Sequence, residues 1–103
     1  MNPSASDIAD AVMRINAKNV FVFPNNKNII LAAEQSKQLV ENRTVHVVPT
    51  KNVPQGILAA LEFNPEETPT VNKINMLHAT DNVVAGQVTY AVRSSKTDGL
   101  SLS

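Results

Sequence analysis

The sequence contains no cysteine and only three glycines, Gly56, Gly86 and Gly99. The first absence excludes disulfides and thiolate chemistry, and it fits a reducing compartment. The second excludes the glycine-rich phosphate cradles, because glycines so far apart satisfy neither the P-loop nor the GxGxxG pattern. There is no excess of either charge: nine basic residues balance nine acidic ones. A nucleic-acid partner is therefore not expected, since its binders present a basic face. No apolar run approaches the ~18 residues of a membrane span. The opening residues, MNPSASDIAD, carry neither the charged nor the apolar region of a signal peptide. These absences point to a cytoplasmic protein. At 103 residues the chain reads as one domain. A chain of that size buries roughly 65 % of its unfolded surface, enough for one modest core.

What is present is an alternation of strand and helix signals. Val20-Phe21-Val22-Phe23 is a continuous apolar run, and Thr44 to Val48 nearly repeats it. Runs that do not alternate suit strands buried on both faces of a parallel sheet. Between them Ile29, Ala32, Ala33, Ser36 and Val40 mark one face of a helix that ends near Asn42. Upstream, Asn2-Pro3-Ser4 with Asp7 is a helix start, and Ile8, Val12 and Ile15 give that helix a buried side. After Pro49, a short helix with Ile57, Leu58 and Leu61 on its apolar side closes at Asn64-Pro65. Val71, Ile74, Leu77 and His78 outline a fourth helix. Its Asn72 and Asn75 are poor helix formers, so packing has to hold it. Gly86 to Arg93 alternates as a third strand with one wetter face, which suits a sheet edge. Thr97 to Ser103 then begins a further segment, and the chain reads as an excised piece of a larger multidomain protein.

The expected fold is α/β: a small, mainly parallel three-stranded sheet, order 2-1-3, with helices on both faces. The direction of the last strand is left open. Both Pro-marked loops, PNNKN and PTKNVPQG, would lie at the carboxyl edge of such a sheet, where open α/β folds place ligands. Asn25, Asn26, Lys27 and Asn28 from one loop, and Thr50, Lys51 and Gln55 from the other, are the candidate ligand-binding residues. Amides, a hydroxyl and ammonium groups beside a helix start suit a carboxylate or phosphate. Turn and cap chemistry explains the same residue types more simply. His46 and His78 lie on separate elements without metal-ligand spacing, so both read as structural and no metal site is expected. Glu62, Glu66 and Glu67 form an acidic corner, read as a docking surface for a basic partner rather than an acid–base pair. Ser94 and Ser95 have no evident base, so no catalytic residue is expected.

Four ordered motifs add a resemblance: Met1-Asn2-Pro3-Ser4, NVFVFPNNKNIILAAEQ, VVPTKNVPQG, and GQVTYAVR with the following Asp98-Gly99. Together they resemble the C-terminal region of the ATP-binding subunit of bacterial fatty acid kinase, also labelled dihydroxyacetone kinase-like or DAK phosphatase-like. The resemblance covers essentially the whole chain. It implies a DegV-like fold and a role in engaging a DegV-like fatty-acid-binding protein. It also implies that ATP and Mg²⁺ bind an N-terminal kinase domain, and that the catalytic Cys and His belong to a linker domain. None of those segments occurs in this sequence, so the resemblance carries no catalytic residue to any position and implies no cofactor for this stretch. In the fatty-acid-binding relatives a hydroxyl-rich loop before a proline holds the carboxylate. The matching place here is Asn2-Pro3-Ser4. The expectation is thus a non-catalytic accessory domain of a kinase acting in lipid metabolism, through protein–protein interaction. The alternative is a small-ligand or anion site at the sheet's carboxyl edge.

Overall fold

Strand β1 (Asn19–Phe23) lies between β2 (Thr44–Val47) and β3 (Gly99–Ser101), parallel to both. A computed structural model describes residues 2–81 and the backbone of residues 99–101. The helices are α1 (Ala5–Met13), α2 (Lys27–Ser36), α3 (Val53–Leu61) and α4 (Pro69–Asp81). The molecule is thus an α/β domain with four helices and a parallel sheet centred on the β1–β2 pair. The strand expected at Gly86 to Arg93, with its direction, lies outside the described residues. In the described residues β1 is flanked on that side by the short later segment β3.

β1 is buried from Val20 through Phe23, as a continuous apolar run requires. Successive side chains leave opposite faces of a strand, so this run feeds two separate cores. Val20 and Val22 join Val45 and Val47 of β2, and pack with Ile8, Val12, Ile29 and Ala33 of α1 and α2. Phe21 and Phe23 pack instead with Val48, Ala59 and Met76, and with Phe63 and Leu77 at the margin. One helix pair therefore covers each face. β2 is less completely enclosed than the sequence suggests: Val45 and Val47 are buried, while His46 between them is half-buried and Thr44 is exposed. β2 has a strand on one side only among the described residues, and its second face is only partly covered.

Local signals set the helix starts. Ser4 Oγ accepts from the Asp7 backbone N–H at 3.1 Å, and the Asp7 carboxylate accepts from the Ser4 N–H at 3.0 Å. This reciprocal capping box holds the Asp7 carboxyl below its ordinary range, chiefly through the Ser4 backbone bond. Three expectations about the helices need correction. α2 stops at Ser36 and tightens into a 3₁₀ turn over Lys37–Leu39, well before Asn42. Ser36 Oγ bonds back to the Ala33 carbonyl at 2.6 Å, which competes with regular helix. In α3 the buried positions are Gly56 and Ala59, with Ile57 exposed and Leu58 and Leu61 partly so. Small residues let its backbone approach the sheet. In α4 the buried positions are Asn72 and Met76, while Ile74 and His78 are exposed.

The end of α1 is held from a distance. Its last turn contains no basic residue, and Arg43 supplies the cation from the turn before β2. Arg43 Nη1 donates to the carbonyls of Val12 at 3.3 Å and Met13 at 3.0 Å, and to that of Ile15. Asn42, at φ 62°, adopts the left-handed backbone that asparagine tolerates. A guanidinium on the carbonyl end of a helix satisfies orphan acceptors and complements the helix dipole. Arg43→Ala is expected to lower stability by about 2–3 kcal/mol, the range for hydrogen bonds to charged groups. Arg43→Lys should retain part of it. Urea unfolding checks this, and an unchanged midpoint for Arg43→Ala would contradict it.

Candidate functional site

The two Pro-marked loops do meet at the carboxyl edge of the sheet. The Asn25 backbone N–H donates to Thr50 Oγ1 at 2.9 Å, and the Thr50 hydroxyl donates to Asn25 Oδ1 at 2.8 Å. Both residues are buried. Asn25 sits at φ 59°, which turns its side chain back toward β2's loop. α3 is threaded close against this pair: a Cβ built on Gly56 would lie 2.0 Å from Asn25 Oδ1. The remaining candidates are engaged in caps and turns. Asn26 Oδ1 caps α2 by accepting from the Asn28 N–H at 2.8 Å. Asn52 Oδ1 caps α3 by accepting from the Gln55 N–H at 2.9 Å. Gln55 Oε1 accepts from the Lys51 N–H at 2.7 Å. The Lys27 and Lys51 side chains are exposed beside the starts of α2 and α3. Sequence reasoning brought the right loops together, and their polar groups are mostly spent on each other.

The amino edge is more open. α3 delivers Phe63 and the turn Asn64 to Thr68 to this edge, beside Asn19 at the start of β1. Asn72, buried within α4, latches that turn: its Oδ1 accepts from the Asn64 N–H at 2.8 Å, and its Nδ2 donates to the Asn64 carbonyl at 2.9 Å. Asn64 Oδ1 in turn accepts from the Glu66 N–H at 2.9 Å. The Phe63 ring meets Phe21 edge-to-face at 5.7 Å. His46 stacks on Phe21 at 5.0 Å. Its Nε2 lies 2.9 Å from Asn19 Oδ1; since that oxygen only accepts, Nε2 carries the proton. A cleft of about 210 Å³ opens here, lined by Asn19, Phe21, Phe63, Pro65, Glu67, Pro69 and Asn72. Glu67 is at its wall, and Glu62 and Glu66 stand exposed on the same corner. None of these three carboxylates is ion-paired among the described residues, where the one salt bridge is Lys37–Glu34 at 3.2 Å. The described residues hold no group of three or more His, Cys, Asp or Glu side chains placed to bind a metal ion. None of their helices is long and apolar enough to cross a membrane.

Residues 1–103 match a family model for the C-terminal region of proteins like the A-type subunit of fatty acid kinase. The chain belongs to this family. It is 50 % identical over 99 residues to protein YloV of Bacillus subtilis (strain 168), covering 96 % of this chain. It is 41 % identical over 102 residues to an uncharacterised protein of Staphylococcus aureus (strain USA300), covering 99 % of this chain. In both cases the chain spans 18 % of the relative's length.

Asn19, Phe63 and Asn72, which build the amino-edge cleft with Glu67, did not stand out as site residues in the sequence. Only Asn72 left a signal, as a poor helix former at the centre of an otherwise helical stretch.

Two outcomes follow from this geometry. Partial burial, reinforced by the Lys73 and Lys37 ammonium groups, holds the His46 imidazole below its ordinary range. The unfolded chain then binds more protons than the folded one just below the ordinary histidine value of about 6.5. Stability should be full above that value and decline as pH falls from about 7 to about 5. In His46→Gln the decline over that window should flatten, as thermal unfolding at stepped pH can show; an identical slope would contradict it. Gly56→Ala forces Asn25 off Thr50 and is expected to cost about 1–3 kcal/mol, as overpacking does. A variant as stable as the parent in urea would show that the Asn25–Thr50 lock is dispensable.

Proposed function

We propose that this chain is a non-catalytic accessory region of a cytoplasmic, ATP-dependent fatty acid kinase. Its role is to dock the DegV-like protein that carries the fatty acid; in the older label the parent is dihydroxyacetone kinase-like. The family match along the whole chain carries this reading. The chain's small share of its relatives' length is consistent with a region that works beside other domains, where ATP and Mg²⁺ would bind. The acidic corner Glu62, Glu66 and Glu67 supports an electrostatic docking face, because these exposed carboxylates lack cationic partners among the described residues.

A second reading, an anion site at the carboxyl edge, is favoured by the meeting of the two loops and by the starts of α2 and α3 there. It would rest on Lys51 and Lys27 together with Asn28, since Asn25, Asn26, Thr50 and Gln55 already serve the fold. It predicts weaker phosphate binding in Lys51→Ala.

Calorimetric titration of the full-length protein with a fatty-acid-loaded DegV-type protein separates the two. Reversal of all three charges at Glu62, Glu66 and Glu67 is expected to weaken binding at least about tenfold, and raised salt should weaken the parent's binding as well. Binding indifferent to both would overturn the docking face.

A further inference from the structure

We infer that the cleft at the amino edge, between the Phe21 and Phe63 rings and the Glu67 carboxylate, receives one arginine side chain of the docked partner. This deepens the docking role above and rests on it.

Size comes first. At about 210 Å³ the cleft is smaller than the roughly 300–1,000 Å³ of small-molecule sites, so it suits a single side chain rather than an acyl chain or a nucleotide. Its walls then select the side chain. Phe21 and Phe63 present aromatic surface, and Pro65 and Pro69 offer apolar surface along which a methylene stem can lie. Glu67 brings a carboxylate to the same cavity. A planar guanidinium matches this combination: it stacks on aromatic faces and pairs with carboxylate through two parallel N–H donors. Lysine matches it less well, as a strongly hydrated point charge.

The surrounding charge points the same way. Glu62 and Glu66 flank Glu67, while the cation whose field reaches this end of the sheet at His46 is Lys73, followed by Lys37. The cleft's polar floor is already committed. Asn72 is bonded to both polar groups of the Asn64 backbone, and Asn19 faces His46, so the site is held in shape before anything binds. A fixed cleft spares a ligand the ordering of its walls.

The test uses the full-length protein and the fatty-acid-loaded DegV-type protein, in two arms. Glu67→Gln should weaken binding at least about fivefold, and Glu66→Gln, outside the cleft wall, by less than about twofold. Both positions are exposed, so neither change threatens the fold. In competition, N-acetyl-arginine amide should lower the apparent partner affinity at least about twofold more than N-acetyl-citrulline amide at matched ionic strength. If the triple charge reversal weakens binding but Glu67→Gln and Glu66→Gln act alike, the corner docks by general attraction and the cleft inference is wrong. Equal competition by the arginine and citrulline amides would overturn it too. If the parent protein does not bind the partner at all, the docking role itself fails, a separate result.

Discussion

The burial of β1 on both faces is the constraint from which the rest of the molecule follows. A parallel strand cannot be joined to its neighbour by a tight turn, so each link must be a crossover, here carrying a helix. The alternating side chains of Val20 to Phe23 then demand apolar cover above and below, and two helix pairs supply it. Phe21 and Phe23 make the second core the bulkier one at the strand. Burying each phenyl ring contributes about 1.5–3 kcal/mol. The same arrangement defines two chemically different ends. The carboxyl edge receives the loops leaving β1 and β2. The amino edge receives the turn between α3 and α4.

The two ends use asparagine in contrasting ways. At the carboxyl edge, Asn25 closes a buried exchange of hydrogen bonds with Thr50, and α3 can pack there because position 56 has no side chain. At the amino edge, Asn72 spends its amide on the Asn64 backbone and so fixes a turn that leaves a cleft beside it. A buried amide is tolerated only when its polar atoms are satisfied, and both are. The structural cost is similar at the two ends, but one ends closed and the other open. That asymmetry favours the amino edge as the face that meets a partner.

Much of this was legible in the sequence wherever the signal is local. The uninterrupted run at Val20 to Phe23 marked a strand buried on both faces, and Ser4 with Asp7 marked a capping box. Asparagines after β1 signalled turn and cap chemistry rather than a ligand set. Long-range contacts were not legible. α3 turns Gly56 inward and Ile57 outward because a loop 31 positions earlier presses on it, through Asn25. α4 buries Asn72 rather than Ile74 because hydrogen bonds to the preceding turn outweigh the apolar pattern. Arg43 caps a helix about 30 residues away, and no spacing rule announces that. The Glu62–Glu66–Glu67 corner could be seen in the chain, but not the aromatic cleft beside it, because Phe21 and Phe63 come from different elements.

Hydrogen exchange, read by mass spectrometry on the full-length protein with and without a fatty-acid-loaded DegV-type protein, tests most directly which end meets the partner. Residues 61–72 at the amino edge should gain protection on complex formation, while residues 24–28 and 49–56 at the carboxyl edge should exchange as before. Protection confined to the carboxyl-edge loops would contradict the account.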